Sequence, residues 1–210
     1  MVTPESTDRS EPGYAFDFCG GHLAIDLTNT VGSRGDRREE HLQTFGDLVA
    51  WAEARGVLKR AGAARLRRAA AKRPAHARAA LAAATELREA LYRLIGALAD
   101  GRHTAAADLA VVNAHVRSTM SRLQLTAAPG LRLTLAESDD DASLADAILT
   151  PVVRSAVDLV TSDAIRRVRH CADATCGWLF LDATRSGTRR WCDMKVCGNR
   201  NKVRRFRDAL

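Results

Sequence analysis

The sequence predicts an α+β chain, mainly α: a helical N-terminal domain with a few short strands, followed by a small C-terminal module built as knuckle, β-hairpin and terminal helix. Three observations carry this. Apolar residues recur at helical spacing through most of the first 160 positions; Ala- and Arg-rich composition favours helix between residues 60 and 84; and four of the five cysteines crowd into the last 40 positions as C-x4-C-x15-C-x4-C. A chain of 210 residues accommodates one ordinary domain of about 100 to 150 residues plus a small appendage. The expected division is a disordered N-terminus over residues 1–14, a helical domain over 15–162 and the cysteine module over 163–210.

Phe16 and Phe18 alternate with polar neighbours before Gly20 and Gly21, which predicts a short strand ending in a turn. Leu23, Ile25 and Leu27 continue the alternation as a second strand or a short helix, and Gly32 and Gly35 close an Arg-rich loop. Over residues 42–55, Phe45, Leu48, Val49 and Ala52 keep helical spacing, and Gly56 supplies the stop. Pro74 should divide the 60–84 stretch into two pieces. Leu87, Leu91, Leu94, Ile95 and Leu98 form the face of a core helix ending near Gly101, and Leu109, Val112, Val116 and Leu123 form the face of the next. Residues 131–137 alternate as a strand, and Asp139 to Asp141 read as a turn or a helix start. A helix over 144–160, restarting or kinking at Pro151, leads into the module without a long linker, so the module should pack on the domain.

Within the module, VRHC and CGWLFLD supply β-formers, Arg185, Ser186 and Gly187 a turn, and TRRWC the returning arm of a hairpin. Asp193 suits an N-cap for a terminal helix over 194–209. On that helix Val196, Val203, Phe206 and Leu210 share a face expected to dock on the hairpin, where Asn199 should hydrogen-bond inward.

Cys171, Cys176, Cys192 and Cys197 form two short knuckles that can deliver two thiolate pairs to one tetrahedral ion. One structural zinc is expected. Iron-sulfur spacings are not matched, and two disulfides would need an oxidising compartment, for which the polar start MVTPESTDRSEPG offers no secretory signal. Cys19 reads as a small hydrophobe, and His170 as a weaker alternative ligand. A zinc held by four cysteines has no open position, and no nucleophile-base motif stands out, so no enzyme is expected.

Charge is partitioned. From residue 164 onward 12 Lys and Arg face 4 Asp and Glu, net +8, whereas the rest of the chain is net −1, giving +7 overall. A cationic module on a metal scaffold predicts binding to a polyanion, DNA first. The residues expected at that surface are Arg189, Arg190, Lys195, Arg200, Lys202, Arg204, Arg205 and Arg207, with Trp178 and Trp191 as the module's small core. RNA binding or ribosome association, and a zinc-stabilised protein-interaction module, are the other readings. In the N-terminal domain His22, Asp26, Asn29 and Arg34 could line a small-molecule pocket, which would make the domain a sensor or a dimerisation unit. No apolar run approaches the roughly 18 residues of a membrane span, so a cytoplasmic protein with no membrane partner is expected.

The run CGWLFLDATRSGTRRWCDMKVCGNRNKVRRFR resembles the CGNR zinc finger, whose motif stands at Cys197, Gly198, Asn199 and Arg200. FDFCGGHLAIDLTNTVGSR with FGDLVAWAEARGVL is similar to the ABATE domain that accompanies this finger in bacterial stress-induced transcription regulators. Together the resemblance covers nearly the whole chain from Phe16. It implies zinc at Cys171, Cys176, Cys192 and Cys197 and a role in transcription regulation. Asp193 and Lys195 depart from the family's pattern at positions that carry no ligand.

Overall fold

A computed structural model describes residues 14–137 and 143–208. All but residue 14 of the expected disordered start 1–14, and the acidic run 139–141, lie outside the described residues. Phe16 and Phe18 form no strand; they lie partly buried against the core ahead of a turn in which Gly21 takes φ +73°. The first helix, α1 (Leu23–Thr28), follows at once and is buried from Ala24 to Thr28. Its apparent two-residue alternation therefore marks no exposed face, and the helix alternative holds. Short strands β1 (Val31–Gly32) and β2 (Glu39–Glu40) pair antiparallel within the Arg-rich loop.

Helix α2 (Phe45–Ala54) starts later than apolar spacing alone suggests, because Thr44 caps it: its side chain accepts from Asp47 N while Asp47 accepts from Thr44 N. Gly56, at φ +79°, ends it as expected. Pro74 does divide the Ala/Arg stretch, into α3 (Arg60–Lys72) and α4 (Pro74–Ala99), and sits at the first turn of α4, where its missing N–H costs nothing. The second piece and the expected core helix are one continuous element of 26 residues. Leu87, Leu91, Leu94 and Ile95 are buried along α4, each contributing about 2 kcal/mol. Arg88 lies in the same stripe, almost fully buried, and is tolerated because Glu40 receives both its terminal nitrogens at 2.6 Å.

In α5 (Ala106–Ser121) Val112 is buried, but Leu109 is exposed rather than in the core. Leu123 opens a strand, β3 (Leu123–Ala128), which pairs antiparallel with β4 (Arg132–Glu137), Leu125 opposite Leu135. Helix α6 (Asp146–Val160) carries Pro151 inside its length and lies against α1, α4 and α5. No described helix is long and apolar enough to cross a membrane.

A 3-10 turn (Asp163–Arg167) leads into β5 (Val168–His170), which pairs with β6 (Leu179–Leu181). This ladder straddles the first cysteine pair, so the expected hairpin between the knuckles is corrected. The 188–191 arm is irregular and is held instead by Arg189 N donating to Asp182 Oδ2 and Ala172 N donating to Arg190 O. A π-turn (Met194–Gly198) continues into α7 (Asn199–Arg207). Val168 and Leu179 belong to the main core, so the module shares its base with the helical domain.

Candidate metal centre and nucleic-acid interface

The first knuckle is shaped by a turn in which Cys176 N donates to Asp173 O and Asp173 Oδ1 accepts from Thr175 N and Oγ1. The second is shaped by Asp193, whose side chain caps the π-turn by accepting from Lys195 N and Val196 N. These turns bring Cys171, Cys176, Cys192 and Cys197 together, all buried, with their Sγ atoms within 4.8 Å of one another. Cys192 Sγ lies 3.6 Å from both Cys176 Sγ and Cys197 Sγ. Zinc-sulfur bonds of about 2.3 Å arranged tetrahedrally give a sulfur-sulfur edge of about 3.8 Å, so the four thiolates fit one zinc ion, and they are too close to enclose an iron-sulfur cube. The separations exceed the roughly 2.05 Å of a disulfide.

Without a cation the cluster cannot ionise fully. Hydrogen bonds from Cys176 and then Cys192 hold the Cys171 thiol far down, whereas its bond to Cys171 raises Cys176, and burial first, then the Cys171 charge, raises Cys197. A central dication removes that conflict, and one structural zinc is the cofactor of this site. Trp178, Trp191 and Cys19 pack on the cluster with the buried Phe180, as the reading of both tryptophans as module core requires. His170 is no ligand: its Nε2 lies 3.4 Å from Asp100 Oδ1.

The module is bolted to the domain through the loop after α1. Arg34 N donates to Cys176 O and Gly35 N to Thr175 O. A Cβ on Gly35 would collide with Ala174 O, and one on Gly177 would meet Arg34 Cβ at 2.7 Å, so both glycines are required by the contact. Trp178 Nε1 donates to Val31 O at 2.7 Å, and Tyr92 Oη donates to Gly177 O at 2.8 Å.

The four residues expected to line a pocket are taken up by fixed contacts instead, Asn29 and Arg34 in this joint and His22 and Asp26 within the helical domain, and that expectation is corrected. Asn29 bonds both backbone groups of Leu179. Arg34 makes a two-pronged bond to Glu89, donates to Thr28 O and lies 4.0 Å over the Tyr92 ring. Asp26 receives Arg55 Nε at 2.6 Å, and His22 Nδ1 lies 3.1 Å from Ser155 Oγ. Burial raises the Asp26 carboxyl to about 6 despite Arg55. Burial also opposes the Glu89 charge, but bonds from Arg34 and the charges of Arg34, Arg88 and Arg38 outweigh it and hold the carboxyl at about 2.

The expected nucleic-acid residues separate into three groups. Arg189 turns inward: its guanidinium donates to the carbonyls of Trp191, Cys19 and Cys192 and lies 4.5 Å over Phe180, so it has no place in a phosphate-binding set. Arg200 and Arg204 are tethered. Their guanidinium nitrogens lie 3.5 and 3.7 Å from the fully buried carboxylate of Asp173, and Arg200 also donates to Thr175 Oγ1. Arg190, Lys195, Lys202, Arg205 and Arg207 are exposed and form no ion pair among the described residues. Asn199 does not point inward; it is exposed and donates to Lys195 O. The apolar face of α7 is not docked on the hairpin either: Val196 and Val203 are 51 % exposed and Phe206 68 %.

Sequence reasoning missed Asp173, Arg88 and Glu89. A charge inside the α4 leucine stripe is the one local sign of Arg88, since a buried cation demands a partner elsewhere. Compared with family models, residues 21–163 match ABATE, described as "Putative stress-induced transcription regulator", and residues 167–209 match the CGNR zinc finger. No curated protein matches the chain.

Proposed function

The chain belongs to the ABATE family and ends in a CGNR zinc finger, and on that premise we propose that it is a transcription regulator whose finger binds duplex DNA through α7. The observation that carries this reading is the placement of Lys202, Arg205 and Arg207 on one exposed helix, unpaired among the described residues and joined directly to the second zinc knuckle. Lys195 and Arg190 add exposed positive charge elsewhere in the finger. Arg200 and Arg204 fix the helix on the first knuckle through Asp173, leaving their partly exposed guanidinium groups at its margin. Phosphate contacts dominate such a surface and release counterions. The helical domain serves as the regulatory part, by ligand sensing or by dimerisation.

Fluorescence anisotropy with labelled duplex DNA and matched RNA tests this. Replacing Lys202, Arg205 and Arg207 together with Ala should weaken duplex binding at least about tenfold and reduce the salt slope by up to about 3. Binding that survives the triple replacement, or that favours the RNA, contradicts the assignment. The exposed Val196, Val203 and Phe206 favour a second reading, a protein-docking finger. Partner capture that persists in high salt and after nuclease treatment would select it.

A further inference from the structure

The joint with the finger uses Asn29 and Arg34, but the helical domain has a separate groove near the start of α4, between that helix, α5 and the first turn of α6. Its volume is about 390 Å3, within the roughly 300 to 1,000 Å3 of small-molecule sites. The floor is apolar. Ala80, Ala145 and Leu149 are buried in it, and Ala83 and Leu144 half-buried. Alanines on α4 leave space where larger side chains would fill the angle between the helices.

The polar groups stand at the rim and have an uneven charge. Arg73, at the joint of α3 and α4, has no ion-pair partner among the described residues, and His76 lies one turn along. His115 and Ser118 face them from α5. The one acidic lining residue among the described residues, Asp146, is already committed to Arg122 at 2.9 Å and to Ser143 N. Helix α4 starts at Pro74 with no side chain capping its first N–H groups, so the positive end of a 26-residue helix lies at the Arg73 side of the groove. Burial pushes the His115 imidazole below its ordinary value, against the pull of Glu86 and Asp146, so near neutrality it offers one donor and one acceptor.

We propose that this groove binds a small amphipathic carboxylate, its apolar body lying on Ala80, Ala83 and Leu149 and its carboxylate held by Arg73 and His76. A neutral ligand would leave the cationic rim unanswered, and a cation would be repelled by it. The site is independent of DNA binding, and its test involves no nucleic acid.

Calorimetric titration of the zinc-loaded full chain with benzoate, 2-naphthoate and octanoate, each paired with its neutral alcohol, provides the test. At least one carboxylate should bind, at least tenfold more tightly than its alcohol. Ala83→Leu should abolish binding by filling the floor. Arg73→Gln, a change at an exposed position, should lower the carboxylate to the level of its alcohol. Failure of all three carboxylates to bind overturns the proposal, as does equal affinity for acid and alcohol, or retention of full affinity in Arg73→Gln.

Discussion

Asn29 and Leu179 exchange two hydrogen bonds: Asn29 Nδ2 donates to Leu179 O at 2.8 Å, and Leu179 N donates to Asn29 Oδ1 at 3.2 Å. The side-chain amide takes the place of a neighbouring strand beside β6, so the base of the finger is completed by a residue just after α1. Both residues are buried. Asn29→Ala should therefore cost about 3 kcal/mol in urea denaturation, since it orphans two buried backbone groups. A loss below about 1 kcal/mol would show that the pair does not couple finger and domain.

Asp173 should matter to α7 without mattering to zinc. Its Oδ1 shapes the first knuckle, and its buried charge faces Arg200 and Arg204. Asp173→Asn keeps an acceptor for Thr175 but removes the charge. Zinc content should stay at one ion per chain while amide exchange across residues 199–207 accelerates about tenfold. Unchanged exchange would mean that the helix is held by other contacts.

Two carboxyls give the stability-pH curve opposite slopes. Glu89 is depressed from 4.5 to about 2, so its contribution is complete above 4.5 and is lost as pH falls through 2. Asp26 is raised from 3.8 to about 6, so its protonated form favours the fold, a contribution complete below 3.8 and lost as pH rises through 6. Glu89→Gln should cost about 2 kcal/mol at pH 7 and flatten the acid limb, while Asp26→Asn should flatten the decline between pH 4 and 6. Denaturation midpoints measured from pH 3 to 7 check both slopes.

The cysteine spacing was legible because each knuckle is a local turn, and two local turns suffice to specify four converging sulfurs. Most helices were legible for the same reason: Pro74 and Gly56 act on their own neighbours, and the α4 leucines repeat within one element. What escaped depends on distance along the chain. Arg34 meets Glu89, and Asp26 meets Arg55, across separations that no periodicity encodes, so four residues grouped as a pocket proved to be four separate fasteners. Gly35 reads in sequence as a loop-closing residue and Gly177 as part of a β-forming run, although each admits the other segment at close range. The terminal helix shows the converse error. Spacing put Val203 and Phe206 on one face correctly, but a shared face does not guarantee a surface to cover it.

Removal of zinc should reach beyond the finger. Loop residues 34 and 35 bond the first knuckle, and Trp178 bonds Val31, so the metal-free chain should lose the joint as well as the module, and its thermal midpoint should fall by several degrees. A midpoint unaffected by chelation would separate the domain's stability from the metal.

The most direct measurement of the central claim is duplex-DNA affinity followed together with bound zinc as the metal is withdrawn by a chelator and restored. The account predicts one zinc per chain, binding that disappears in proportion to its removal, and recovery when one equivalent is returned. Full duplex affinity in protein shown by elemental analysis to hold no zinc would contradict it.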